Sequence, residues 1–118
     1  MTAKLIDQLA ATLLTTTGNA TTIASFTVDS IAALTADLLA TDGTNVAGYK
    51  LFAAAKNTGT VALVSTALQV VAEREDAGAA SWSATIVANN GAMHVQVTGN
   101  AGVSINWFCH GDIIAYTP

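Results

Sequence analysis

From the middle of the chain onward, apolar and polar side chains alternate with period two, the repeat of a strand with one buried face. Met93, Val95 and Val97 fall on one face against His94, Gln96 and Thr98 on the other. After Gly99-Asn100-Ala101-Gly102, Val103, Ile105, Trp107 and Cys109 alternate with Ser104, Asn106 and His110. Residues 93–98 and 103–110 are therefore expected to pair as an antiparallel hairpin. Just upstream, Trp82, Ala84, Ile86 and Ala88 alternate with Ser83, Thr85 and Val87, and Asn89-Asn90-Gly91 supplies residue types that tolerate positive φ in a tight hairpin turn.

Earlier in the chain the alanine-rich stretch 49–56 has helical composition. The Asn57-Thr58-Gly59-Thr60 turn and the β-branched run 61–66 behind it favour two strands instead. Residues 68–75 alternate with Leu68, Val70 and Ala72 facing one way, and 76–80 read as a loop. Residues 21–28 and 31–41 read as strands joined by a turn at Asp29-Ser30, with Asp42-Gly43-Thr44-Asn45 as the next loop and 112–116 as a final strand. About eight strands separated by Gly, Asn and Asp predict an all-β fold, an antiparallel β-sandwich or jelly roll.

The first fourteen residues fit two descriptions. Leu5, Leu9 and Leu13, with Ile6 beside them, fall at helical spacing, which allows a short N-terminal arm or helix. Alternatively, 11–17 form the first strand and 1–10 a frayed lead-in. The expected organisation is an arm or lead-in over 1–14 and one β-sandwich domain over 15–118.

Composition sharpens this picture. Only 10% of the 118 residues are charged while mean hydropathy is +0.49, against about 25% charged in an ordinary soluble domain. Part of the missing polar surface is expected to be a subunit contact. The apolar pieces are interrupted well before the ~18 residues a membrane helix needs, so no membrane partner is expected. The N-terminus lacks a signal peptide's basic cluster and continuous apolar run, so no secretion signal is expected. A net charge of −4 with four Lys and Arg offers little to phosphates, which excludes a nucleic-acid surface of the usual kind. The single Cys109 rules out an intrachain disulfide and a thiolate zinc cluster.

Chemistry-bearing residues are sparse. Cys109 and His110 are neighbours, so on a strand their side chains leave opposite faces and cannot act together. His94 lies on a polar strand face, and His110-Gly111-Asp112 offers two metal ligands with no evident third. Glu73, Glu75 and Asp76, around Arg74, could in principle hold Ca²⁺, but a solvated strand end is the simpler reading. No enzyme activity and no cofactor are expected. Trp82 and Trp107 fall on inward faces and read as core rather than as sugar-stacking platforms. Phe108 and Tyr116 fall opposite the apolar face. With Leu5, Ile6 and Leu9 of the N-terminal stretch, they are the candidate interface residues.

The stretch 48–118, with Gly48-Tyr49-Lys50-Leu51, Asn57-Thr58-Gly59-Thr60-Val61, Asp76-Ala77-Gly78-Ala79-Ala80-Ser81-Trp82, Val95-Gln96-Val97-Thr98-Gly99 and Ile105-Asn106-Trp107, resembles a β-sandwich module common in tailed-bacteriophage virion proteins. Such modules occur at the ends of tail fibres and in small capsid-associated proteins. The resemblance implies a virion location and a homotrimer. It brings no catalytic residues with it. Within that setting a chain that begins with Met and has no repetitive shaft is expected to be a capsid decoration, or cement, protein bound to the major capsid protein. The alternative is a tail-fibre or receptor-binding tip whose partner is a host surface glycan.

Overall fold

The computed structural model describes residues 3–65 and 69–117, and the side chains of 7–65 and 69–116. It is all-β, with nine strands: β1 (Ala3–Thr15), β2 (Thr21–Thr27), β3 (Ile31–Thr41), β4 (Val46–Asn57), β5 (Val61–Leu63), β6 (Val70–Glu75), β7 (Ser83–Asn89), β8 (Ala92–Thr98) and β9 (Ile105–Thr117). A single turn of 3₁₀ helix, Ala77–Ala79, links β6 to β7. Every strand pairing is antiparallel. The strands form a sandwich of unequal sheets. The large sheet runs β1-β9-β3-β4-β5, with β6 also paired to β4, and the small sheet runs β2-β8-β7.

The core lies between the sheets and follows the alternation residue by residue. Leu34, Leu38, Tyr49, Leu51, Ile105, Trp107 and Ile113 point inward from the large sheet, and Ile86, Met93, Val95 and Val97 from the small one. Inward positions of β3 and β4 are otherwise mostly alanine: Ala32, Ala36, Ala40, Ala47, Ala53 and Ala55 are all buried. Small side chains there leave room for large rings. Trp107 stacks on Tyr49 and meets Trp82 at a tilt, each with centroids 6.2 Å apart. Trp107 Nε1 donates to Thr15 Oγ1 at 2.9 Å, so its one polar atom is satisfied inside the core.

The Asn90-Gly91 turn between β7 and β8 has φ of 49° and 78°. Two successive positive values suit the right-handed twist of a two-residue hairpin. In the β3–β4 loop, Asp42 Oδ1 accepts the backbone N–H groups of Thr44 and Asn45 at 2.9 and 2.6 Å, and Asn45 Nδ2 donates to Asp42 Oδ2 at 3.0 Å. These bonds hold the carboxyl of Asp42 below its ordinary value, the Asn45 side chain contributing most.

Several expectations are corrected. Residues 93–98 and 103–110 do not form a hairpin. β8 pairs with β2 and β7, whereas β9 pairs with β1 and β3 in the opposite sheet. Their connection is an arch over the sandwich edge, held by Gly102 N–H donating to Thr16 O at 2.8 Å and Ser81 Oγ to Asn100 Oδ1 at 2.9 Å. A Cβ on Gly99 would lie 2.8 Å from Ile105 Cδ1 and 3.0 Å from Thr15 Oγ1, which explains glycine at the arch. The tail 112–116 is no separate strand, because β9 runs on through Gly111, paired with Leu9 on one side and Ala36 on the other.

At the N-terminus neither a helix nor a lead-in forms over the described residues. β1 is paired with β9 along its whole length, from Ala3 opposite Thr117 to Thr15 opposite Ile105. The spacing of Leu5, Leu9 and Leu13 is an even number, so it suits one strand face as well as one helix face. Val70 and Ala72, expected to share one face, lie on β6, which is exposed on both faces at the sheet margin, and position 68 lies outside the described residues. The strand expected over 61–66 is limited to Val61–Leu63, with position 66 also outside them.

Candidate interaction surface

Because inward positions of the large sheet are fixed by the core, the alternate positions form its outer face, and register assigns them to levels across β1, β9, β3 and β4. One level holds Leu14, Asn106, Thr41 and Val46. The next holds Thr12, Phe108, Leu39 and Gly48. A central level holds Ala10, His110, Asp37 and Lys50, followed by Gln8, Asp112, Thr35 and Phe52. Beyond these come Ile114, Ala33 and Ala54, then Tyr116, Ile31 and Lys56.

This face is unusually apolar for one turned away from the core. Ten large apolar side chains are exposed among the described residues, and seven of them stand here: Leu14, Ile31, Leu39, Val46, Phe52, Phe108 and Ile114. Phe108 is 45% exposed, Leu39 50% and Ile114 65%. Large apolar side chains gathered and exposed on one sheet face mark interaction sites. The polar groups gather in the middle. Lys50 Nζ lies 3.3 Å from Asp37 Oδ1 with both side chains more than half exposed, and Gln8 Nε2 donates to Asp112 Oδ1 at 3.5 Å. An exposed ion pair of this kind contributes about 0–1 kcal/mol, so it orders the face more than it stabilises the fold. Beside it a shallow hollow of about 280 Å³ is bounded by Asp37, Leu39, Phe108 and His110.

Of the interface candidates, Phe108 and Tyr116 lie on this outer face, Phe108 exposed and Tyr116 half-buried. Leu9 is half-buried against the core from the inner face. Leu5 and Ile6 lie on β1, and their side chains are outside those described. Sequence reasoning missed the rest of the patch. Leu39 and Phe52 each sit in a strand rich in apolar residues on both faces, where alternation gives no hint of direction.

The chemistry-bearing residues remain dispersed. Cys109 is buried and its thiol is pushed up to about 11, chiefly by burial and further by the Asp37 charge. His110 points out of the opposite face. A His94 ring nitrogen, Nε2, is 2.9 Å from Asn89 O across the β7–β8 hairpin. Asp76 Oδ2 accepts the Val46 backbone N–H at 2.9 Å. No three of His, Cys, Asp or Glu gather into a metal-holding group among the described residues, Glu73 and Glu75 included. Trp82 and Trp107 are 2% and 0% exposed, which puts both in the core.

No protein-family model and no curated protein matches the sequence. Among solved structures, the fold is similar to part of a tailspike protein of Acinetobacter baumannii phage AM24, with a TM-score of 0.51 and 12% sequence identity. The match covers 97% of this chain and 28% of the tailspike chain, so this chain spans little more than a quarter of the length of the protein it resembles.

Proposed function

We propose that this chain is a structural module of a tailed-phage virion, and specifically a capsid decoration protein that associates with copies of itself, as a homotrimer, and with the major capsid protein. The observation that carries this reading is the outer face of the large sheet. Seven large apolar side chains exposed on one sheet face suit a protein whose working state is an assembly. The likeness of fold to part of a phage tailspike supports the virion setting. A decoration protein works by mass action: binding the assembled shell and not its free subunits lowers the free energy of the assembled state, and many weak contacts sum. No reaction is assigned to it.

A second reading, a tail-fibre or tailspike module that meets a host surface glycan, is favoured by the same tailspike likeness. Because both tryptophans are buried, calorimetric titration with host polysaccharide is a better probe of that reading than tryptophan fluorescence. The deciding experiment is the copy number of this polypeptide in purified virions, by quantitative mass spectrometry against the major capsid protein. A number comparable with the shell subunit is expected of a decoration protein. A handful per particle would move it to the tail, and absence from particles would overturn both readings.

A further inference from the structure

We infer that the outer face of the large sheet is covered by a second copy of this chain, related to the first by a cyclic axis running parallel to the strands, so that the β9 side of one copy meets the β3 side of the next. This rests on the self-associating reading above and names the surface and geometry that serve it.

Rotation about an axis parallel to the strands preserves height along them and exchanges left with right. Residues that share a level within one chain are therefore brought opposite each other between chains. The register makes these levels self-complementary. Phe108 shares its level with Leu39, so an aromatic ring meets an aliphatic side chain. His110 shares its level with Asp37, so an imidazole meets a carboxylate. Leu14 and Val46 lie at opposite margins of one level and meet in the same way. Turning the second copy end over end about the middle of the face instead sets Val46 against Lys56, where the parallel axis sets it against Leu14, and it sets Lys50 against Phe52, where the parallel axis sets it against the small Ala10.

Size agrees with a copy as the occupant. Four strands about 4.8 Å apart and some eleven residues long outline roughly 700 Å², close to the ~800 Å² that each partner buries in a stable complex. The face carries both signs, Asp37 and Asp112 beside Lys50 and Lys56, and the central level brings His110 opposite Asp37, while the outermost level brings Lys56 opposite Lys4. Two-fold and three-fold axes parallel to the strands both bring the left half of one face to the right half of the next, the three-fold as a triangular prism.

The test uses the full chain. Its mass is measured by light scattering across micromolar concentrations, beside Phe108→Asp. Separately, Leu14→Cys and Val46→Cys chains are oxidised alone and mixed; native Cys109, buried with a raised thiol pKa, stays silent. The expected result is an oligomer whose dissociation constant rises by at least about a hundredfold in Phe108→Asp, the scale of leaving a carboxylate buried and unpaired. A disulfide-linked pair is expected in the mixture and in neither chain alone. An oligomer indifferent to Phe108→Asp, with no cross-link in the mixture, would overturn this surface while leaving self-association standing. A wild-type chain that stays monomeric would overturn both. Protection of Phe108 in such a monomer only on purified shells would identify the capsid protein as occupant.

Discussion

The two sheets share one core and present opposite surfaces to the outside. The outer positions of the small sheet are Thr22, Ser25 and Thr27 on β2, His94, Gln96 and Thr98 on β8, and Ser83, Thr85 and Val87 on β7. Apart from Val87, and Ala92 at the start of β8, these outer positions can hydrogen-bond to water, the usual pattern for a sheet solvated on one side. The outer positions of the large sheet carry Leu14, Leu39, Val46, Phe52, Phe108 and Ile114 beside polar residues such as Asp37, Lys50, His110 and Asp112. Nothing in the packing of the sandwich requires this difference, since neither outer face touches the core. It is explained if the small sheet faces solvent and the large sheet faces protein.

The strongest way to break the comparison is to remove what both faces depend on. Trp107 is fully buried beneath the large sheet and touches Trp82, which leads into the small one. Trp107→Ala is expected to destabilise the chain by about 3–5 kcal/mol, read as a lowered urea midpoint, with loss of both surfaces together. Thr15→Val is gentler. It keeps the shape and leaves Trp107 Nε1 buried without its acceptor, which is expected to cost about 1–3 kcal/mol in the same measurement.

Gly91→Ala sharpens the comparison by acting on the small sheet alone. At φ of 78° a Cβ is strained, and a loss of about 1–2 kcal/mol is expected, visible as faster amide exchange in β7 and β8 than in β3 and β4. Acid acts on the large sheet with a smaller effect. The Asp42 carboxyl is held below its ordinary value of 3.8 in the folded chain, first by the Asn45 side chain and then by backbone N–H groups. A depressed folded value means that its stabilisation is fully present above the unfolded value and is lost as pH falls through the folded one. Amides of the β3–β4 loop are expected to lose protection below about pH 4, and Asp42→Asn should lack that transition.

How much of this was legible beforehand depends on what alternation encodes. Period two assigns faces, so the inward positions of Met93, Val95, Val97, Trp82 and Trp107 could be read directly, as could the Asn90-Gly91 turn. Period two does not assign partners. The segments on either side of Gly99–Gly102 both have one apolar face, which suits two strands side by side in one sheet and equally two strands facing each other across a core. The second arrangement occurs. Gly111 looked like a break between strands because glycine usually punctuates, yet a Cβ there would sit 3.2 Å from Leu34 Cδ1, so it marks close packing inside β9.

The interaction surface was the least legible part. Phe108 and Tyr116 stood out because their strand alternates cleanly, so an apolar residue on the wrong face was conspicuous. Leu39 and Phe52 belong to strands apolar on both faces, and only the register with β9 brings Leu39 level with Phe108.

Sedimentation equilibrium on three chains tests the central claim most directly: wild type, Leu39→Asp on the outer face of the large sheet, and Gln96→Asp on that of the small sheet. The account predicts that wild type and Gln96→Asp associate with the same constant while Leu39→Asp sediments as a folded monomer. Equal association by all three, or dissociation of Gln96→Asp alone, would contradict it.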